Sequence, residues 1–249
     1  MSGGEFLLKT IMSAALAALA LPAAALAQDN WRAEAAARLP DTGEMNLQFI
    51  NQGEVDGYMR LGWRRNGERI EMFDRTMMMS GDIFESMTAA MTDGDFAPLE
   101  TVILWHQESA VMTLDTVASD GRVTGIQTIL RPLSGEQSAP ITLDLPDGTM
   151  PRAATFVLAP FMGLEPGESV TYDWYAVMAN SVATVTVTAF EGGAVDTPAG
   201  RYEDTLRLEV RGTQPENDIF VSGGEVVRID VIGRDMTFLR RPDPEPAAQ

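Results

Sequence analysis

Apolar and polar residues alternate along most of this chain, and the period of the alternation is two. From about Glu44 to Arg240, short runs of β-branched and aromatic residues are separated by Gly, Asp-Gly, Asn-Gly and Pro-Gly punctuation. That is the signature of an antiparallel meander. The clearest unit is Val55 to Met79, where Asn66-Gly67 can supply the two positive-φ residues of a type I′ hairpin turn. That turn predicts Arg65 facing Glu68, Trp63 facing Ile70, Leu61 facing Met72 and Met59 facing Asp74, all on one side of the hairpin. Arg60, Arg64, Arg69 and Glu71 fall on the other side, so one face is predicted to be buried and the other wetted.

Two further hairpins follow the same logic. Asp120-Gly121 joins Val111–Ser119 to Arg122–Leu130, and Gly223-Gly224 joins Asp218–Ser222 to Glu225–Ile232, with Val221 opposite Val226 and Phe220 opposite Val227. Between them, Val185 and Val187 alternate with Thr184, Thr186 and Thr188, as expected of a half-buried strand with a threonine face. Two segments carry a helical pattern instead. Asp29-Asn30 can cap a helix through Trp31–Arg38 that Leu39-Pro40 stops, and Arg152–Ala159 is alanine-rich and bracketed by Pro151 and Pro160. The fold class expected is mainly β: a strongly curved antiparallel sheet, a half-barrel, with one or two short helices, the second packed into or across the concave side.

The two ends of the chain read differently from the middle. Lys9, an apolar run from Ile11 to Leu26 and the small residues Ala25-Leu26-Ala27 before Gln28 have the three-part form of a cleavable export signal. The run is shorter than the roughly 20 residues a bilayer span needs, and Pro22 interrupts it. Residues 1–27 are therefore read as a signal peptide, 28–241 as one β-rich periplasmic domain without a membrane span after cleavage, and 242–249, with three prolines, as a disordered tail.

Composition narrows the chemistry. The net charge is −18, there is no cysteine, and no lysine follows Lys9. Nucleic acid is excluded as a partner, because neutralising phosphates takes clustered basic residues. Stability has to come from packing and hydrogen bonds without disulfides. His106 is the one histidine, and Ser109, three residues on in an extended strand, points to the opposite face, so no nucleophile triad forms there. One histidine without thiols makes a zinc site improbable, and Asp93-Gly94-Asp95, the compact candidate for calcium, reads as a turn. No catalytic residue, metal or cofactor is assigned. Methionine clusters at Met72, Met77, Met78, Met79, Met87, Met91 and Met112, a bias that fills irregular cores, lines adaptable apolar surfaces or, less commonly, ligates copper(I).

The segment Glu191 to Tyr202, with its Thr197-Pro198-Ala199-Gly200 turn, and the strand Thr205–Val210 after it resemble an uncharacterised bacterial periplasmic family, domain of unknown function 3108 and its relatives. Asp218–Ser222 with Val226–Ile229, Leu164–Glu168 and the turn Asp120–Gly125 are similar to theirs too. The resemblance implies a curved antiparallel sheet, and that architecture is similar to the half-barrel of lipoprotein carriers. The function expected is a non-enzymatic envelope protein whose concave apolar groove, lined by Leu61, Trp63, Met72 and Trp105, binds a lipid, acyl chain or polymer. The alternatives are an envelope hydrolase using paired carboxylates and an accessory subunit recognised through its acidic surface.

Overall fold

The computed structural model describes residues 31–212 and 214–243. The export signal, the Asp29-Asn30 cap and all but the first two residues of the proline-rich tail lie outside the described residues. Helix α1 occupies 31–38. A meander of eight antiparallel strands follows: β1 (Thr42–Asn51), β2 (Glu54–Asn66), β3 (Arg69–Met78), β4 (Ile83–Thr92), β5 (Pro98–Gln107), β6 (Ala110–Ser119), β7 (Arg122–Arg131) and β8 (Gly135–Asp144). The chain then crosses to the far edge through β9 (Met150–Pro151), helix α2 (Arg152–Leu158) and a 3-10 turn (Ala159–Phe161). A second meander returns: β10 (Ser169–Ala176), β11 (Ser181–Thr197), β12 (Gly200–Arg211), β13 (Asn217–Ser222), β14 (Glu225–Val231) and β15 (Met236–Arg240).

All fifteen strands belong to one open, curled sheet in the order 8-7-6-5-4-3-2-1-15-14-13-12-11-10-9. The two meanders are joined where the first and last strands pair, with Phe49 opposite Phe238 and their rings 5.0 Å apart. Register shifts at Phe49/Ile50, Ala90/Met91, Glu191–Val195 and Phe220/Val221 add local twist, which a sheet this wide needs to curl. At Gly57 on β2 the backbone of β3 leaves no room for a side chain: a Cβ there would lie 1.9 Å from the Met77 carbonyl oxygen. At the β8 edge the side chains are mostly exposed and Pro140 removes a donor, features that discourage a further strand from adding.

Helix α2 and the 3-10 turn touch β2 of the first meander and β10, β13 and β14 of the second, so they lie inside the curl. Their buried side chains, Ala154, Val157, Leu158 and Phe161, join the inward residues of the strands in one contiguous core. The predicted helix at Arg152 and the curved, mainly β sheet are both present.

The hairpins show how the turns set the sheet. Asp120 and Gly121 both have positive φ, and Ser119 faces Arg122, as Asp-Gly predicts. Gly223-Gly224 also forms its turn with Val221 opposite Val226, but a bulge puts Phe220 opposite Arg228 rather than Val227. The first hairpin differs from expectation. Its turn is centred on Gly67-Glu68, with positive φ at Gly67 and none at Asn66, so Asn66 faces Arg69, Trp63 faces Met72 and Leu61 faces Asp74. Asn66 stays in the ladder because its side-chain amide donates to Glu71 Oε1 across it, at 3.0 Å. Each partner moves by two, so the inward and outward sets are unchanged.

Candidate functional site inside the curl

One end of the curl is closed by α1. Trp31, Ala35 and Leu39 are buried, and the Trp31 ring lies 5.3 Å from that of Tyr172. Trp63 Nε1 donates to the Pro40 carbonyl at 3.0 Å, and Arg65 Nη2 donates to the carbonyls of Ala36 (2.9 Å) and Leu39 (3.0 Å), satisfying the free acceptors at the end of the helix. Arg65 is itself held by Asp93 at 2.6 Å. Tyr172 shares a 2.8 Å hydrogen bond with Thr155 on α2, and its burial drives the phenol pKa upward. Trp63 also meets Phe161 edge-on at 6.0 Å.

The other end is not filled. A cavity of about 540 Å³ lies between α2, strands β2–β5 and strands β14–β15, within the range typical of small-molecule sites. Leu61, Ile103, Trp105, Phe156 and Phe238 contribute to its apolar wall, and Met59, Met78, Met87, Met178 and Met236 add a thioether lining able to adapt to varied shapes. Of the four groove residues expected from the sequence, Leu61 and Trp105 line this cavity. Trp63 and Met72 face the same side of the sheet but are packed at the closed end, 7% and 2% exposed.

Asp74, Glu85 and Arg152 share the cavity wall with Tyr175 and Arg234, and none of them was singled out from the sequence as a site residue. Asp74 on β3 faces Leu61 and Met87, while Glu85 on β4 faces Thr76 and Trp105. The two acids are therefore diagonal neighbours on the inward face, about 7–8 Å apart by strand geometry. Burial pushes Asp74 up to about 6 against a hydrogen bond from Thr76 Oγ1 at 2.7 Å. Burial, with Asp74's charge adding to it, pushes Glu85 up to about 7. Arg152 opens α2 with its guanidinium 5.4 Å from the Trp174 ring; burial lowers its pKa while both acids hold it up. Its Nε is enclosed without a hydrogen-bond partner. A signal for the acids was present in the pattern: each interrupts the inward, otherwise uncharged set of its strand, Ile70-x-Met72-x-Asp74-x-Thr76-x-Met78 and Glu85-x-Met87-x-Ala89-x-Met91.

The other candidates fall elsewhere. His106 lies on the outer face opposite Phe84 and Val111, and Ser109 is an exposed turn residue. Asp93-Gly94-Asp95 is a turn whose first acid pairs with Arg65. Met77 and Met79 are exposed, and only Met78 of that tripeptide reaches the cavity. Among the described residues no three His, Cys, Asp or Glu side chains are grouped to hold a metal. Trp63 and Met72 instead contribute to a second hollow of about 520 Å³, lined also by charges that already pair, Arg64 with Glu71 at 2.6 Å and Arg69 with Glu100 at 3.3 Å. Among the described residues no helix is long and apolar enough to cross a membrane.

Fold and site together define a class: a curled antiparallel sheet, stoppered at one end by a helix and holding a polar-walled apolar cavity at the other. No known family matches the chain, and no curated protein is similar to it.

Proposed function

We propose that this chain is an exported, non-enzymatic protein of the periplasm that holds a lipid, an acyl chain or a similar apolar ligand inside the curl. The observation that carries the reading is the cavity itself. A concave face that packs its own side chains at one end leaves about 540 Å³ open at the other, walled by methionine, Trp105, Phe156 and Phe238. The export signal expected from residues 1–27 supplies the compartment in this reading, and the turns that resemble those of the domain of unknown function 3108 family, whose architecture is similar to the half-barrel of lipoprotein carriers, agree with a carrier-like role. Dodecanol titrated into the chain below its micellar range tests this. One saturable site that disappears in Ala153→Trp, a substitution on α2 that fills the cavity, is the expected result; no binding, or binding indifferent to that substitution, removes the reading.

A second reading, an envelope hydrolase, draws support from Asp74 and Glu85. Both have raised pKa values and share one wall, as a carboxyl group acting as general acid beside a second carboxylate requires. Most of the exposed wall is apolar, which favours binding of an apolar ligand. Turnover of an aryl glycoside by the wild type, lost in Glu85→Gln, would reverse that preference.

A further inference from the structure

The two acids of the cavity wall meet positive charge only through space. Among the described residues Glu85 has no side-chain hydrogen bond or ion pair, and Asp74 is met only by the Thr76 hydroxyl. Arg152, the nearest cation inside the curl, acts on both acids through space, but no ion pair joins it to either, and its guanidinium is stacked over Trp174 instead. Of the other titratable groups of the lining, Tyr175 donates to Asn180 Oδ1 at 3.5 Å and Arg234 is an exposed rim residue. Arg75, outside the lining, donates to the backbone carbonyls of Asp74 and Met87 at 2.7 Å each and acts on the Asp74 carboxylate through space.

We propose that Asp74 and Glu85 form a subsite for an ammonium group, and that the ligand of this cavity is an amphiphile with a cationic head and an apolar tail. The inference rests on the binding reading above and names the chemistry of its ligand. An ammonium group carries three donors and is compact enough to lie between two carboxylates on adjacent strands, where each bond it makes is charge-assisted. Trp105, opposite Glu85, adds an aromatic surface of the kind that attracts cations. An anionic head would lie beside two carboxylates, which together outweigh the charge of Arg152 on the same wall. The charge of −18 on the whole chain raises the local concentration of cations in the same sense.

The test is calorimetric titration of the chain with dodecylammonium, dodecanoate and dodecanol, each below its micellar range and at physiological salt. At about pH 8, with both acids ionised, dodecylammonium should bind about tenfold tighter than dodecanol, and dodecanoate weakest. That advantage should fall to less than about twofold near pH 5, where both acids are protonated, and also at pH 8 in the double variant Asp74→Asn/Glu85→Gln. Undiminished dodecanol binding by the double variant would show that its cavity is intact. Dodecanoate binding as tightly as dodecylammonium would assign recognition to Arg152 and overturn the inference, as would an ammonium advantage that survives in the double variant. If dodecanol binds and dodecylammonium gains nothing, this inference fails alone; if none of the three binds, the cavity reading fails with it.

Discussion

The concave face of the curl is one surface treated in two ways. On β3 the inward positions run from Ile70 and Met72, fully enclosed, to Asp74 and Met78, half-buried; on β4 they run from Met91 back to Glu85 and Ile83; on β5 from Ile103 to Trp105. Exposure rises in the same direction along β4 and β5, and along β3 with the exception of Thr76, which is buried. The alternation does not change along that path, so it does not account for the difference. What changes is the supply of side chains from outside the sheet: α1 and the 3-10 turn bring Trp31, Leu39 and Phe161 to fill one end, while Phe156 of α2 and Met178 wall the other without filling it. The inward acids without ion pairs, Asp74 and Glu85, lie at the unfilled end, whereas the inward Arg65 at the closed end is paired with Asp93 and bonded to the end of α1, so its charge is satisfied within the packing.

Substitutions at the two ends should therefore separate stability from binding. Trp63→Ala at the closed end removes a buried indole, its bond to Pro40 and its contact with Phe161, and should cost about 3–5 kcal/mol in urea denaturation, against less than about 1.5 kcal/mol for the half-buried Trp105→Ala. Equal costs would erase the distinction between the ends. Gly43→Ala probes the same closed end from behind: its Cβ would lie 2.0 Å from Trp63 Cζ2, and the displaced ring should cost up to about 3 kcal/mol.

The open end should reveal itself through pH. Glu85 and Asp74 have higher pKa values folded than unfolded, so between the two values the folded chain holds the extra protons. Stability should then fall as pH rises from about 4.5 to about 7, with Glu85 contributing on the order of 2 kcal/mol. Glu85→Gln should be more stable than the wild type near pH 8 and show a shallower slope in thermal melts. Asp56 runs the other way, since bonds from Ser80 and Asn51 hold its pKa down, and its contribution is lost as pH falls through the acidic range. The smallest effect belongs to Ala153→Trp, which enters open space and should change stability by less than about 1 kcal/mol while removing the cavity.

Much of this was legible along the chain, for local reasons. The Asp120-Gly121 and Gly223-Gly224 turns are short-range chemistry, and the inward assignment of Met59, Leu61, Trp63 and Met72 survived the displaced turn at Gly67 because a two-residue partner shift preserves parity. The displacement was not legible, since it depends on Asn66 finding Glu71 across the ladder. The alternation put Asp74 on the apolar side of its hairpin, yet its meaning depends on Glu85 in the next strand and on Arg152, delivered by a crossover from the far edge of the sheet. That juxtaposition is tertiary, as is the separation of Leu61 and Trp105 from Trp63 and Met72 into an open and a closed half.

The most direct measurement of the central claim is native mass spectrometry of the chain purified gently from its own host, wild type beside Ala153→Trp. One small amphiphile bound per wild-type chain and none on the variant is the predicted result. A bare wild-type chain that also takes up dodecanol no better than Ala153→Trp would contradict it.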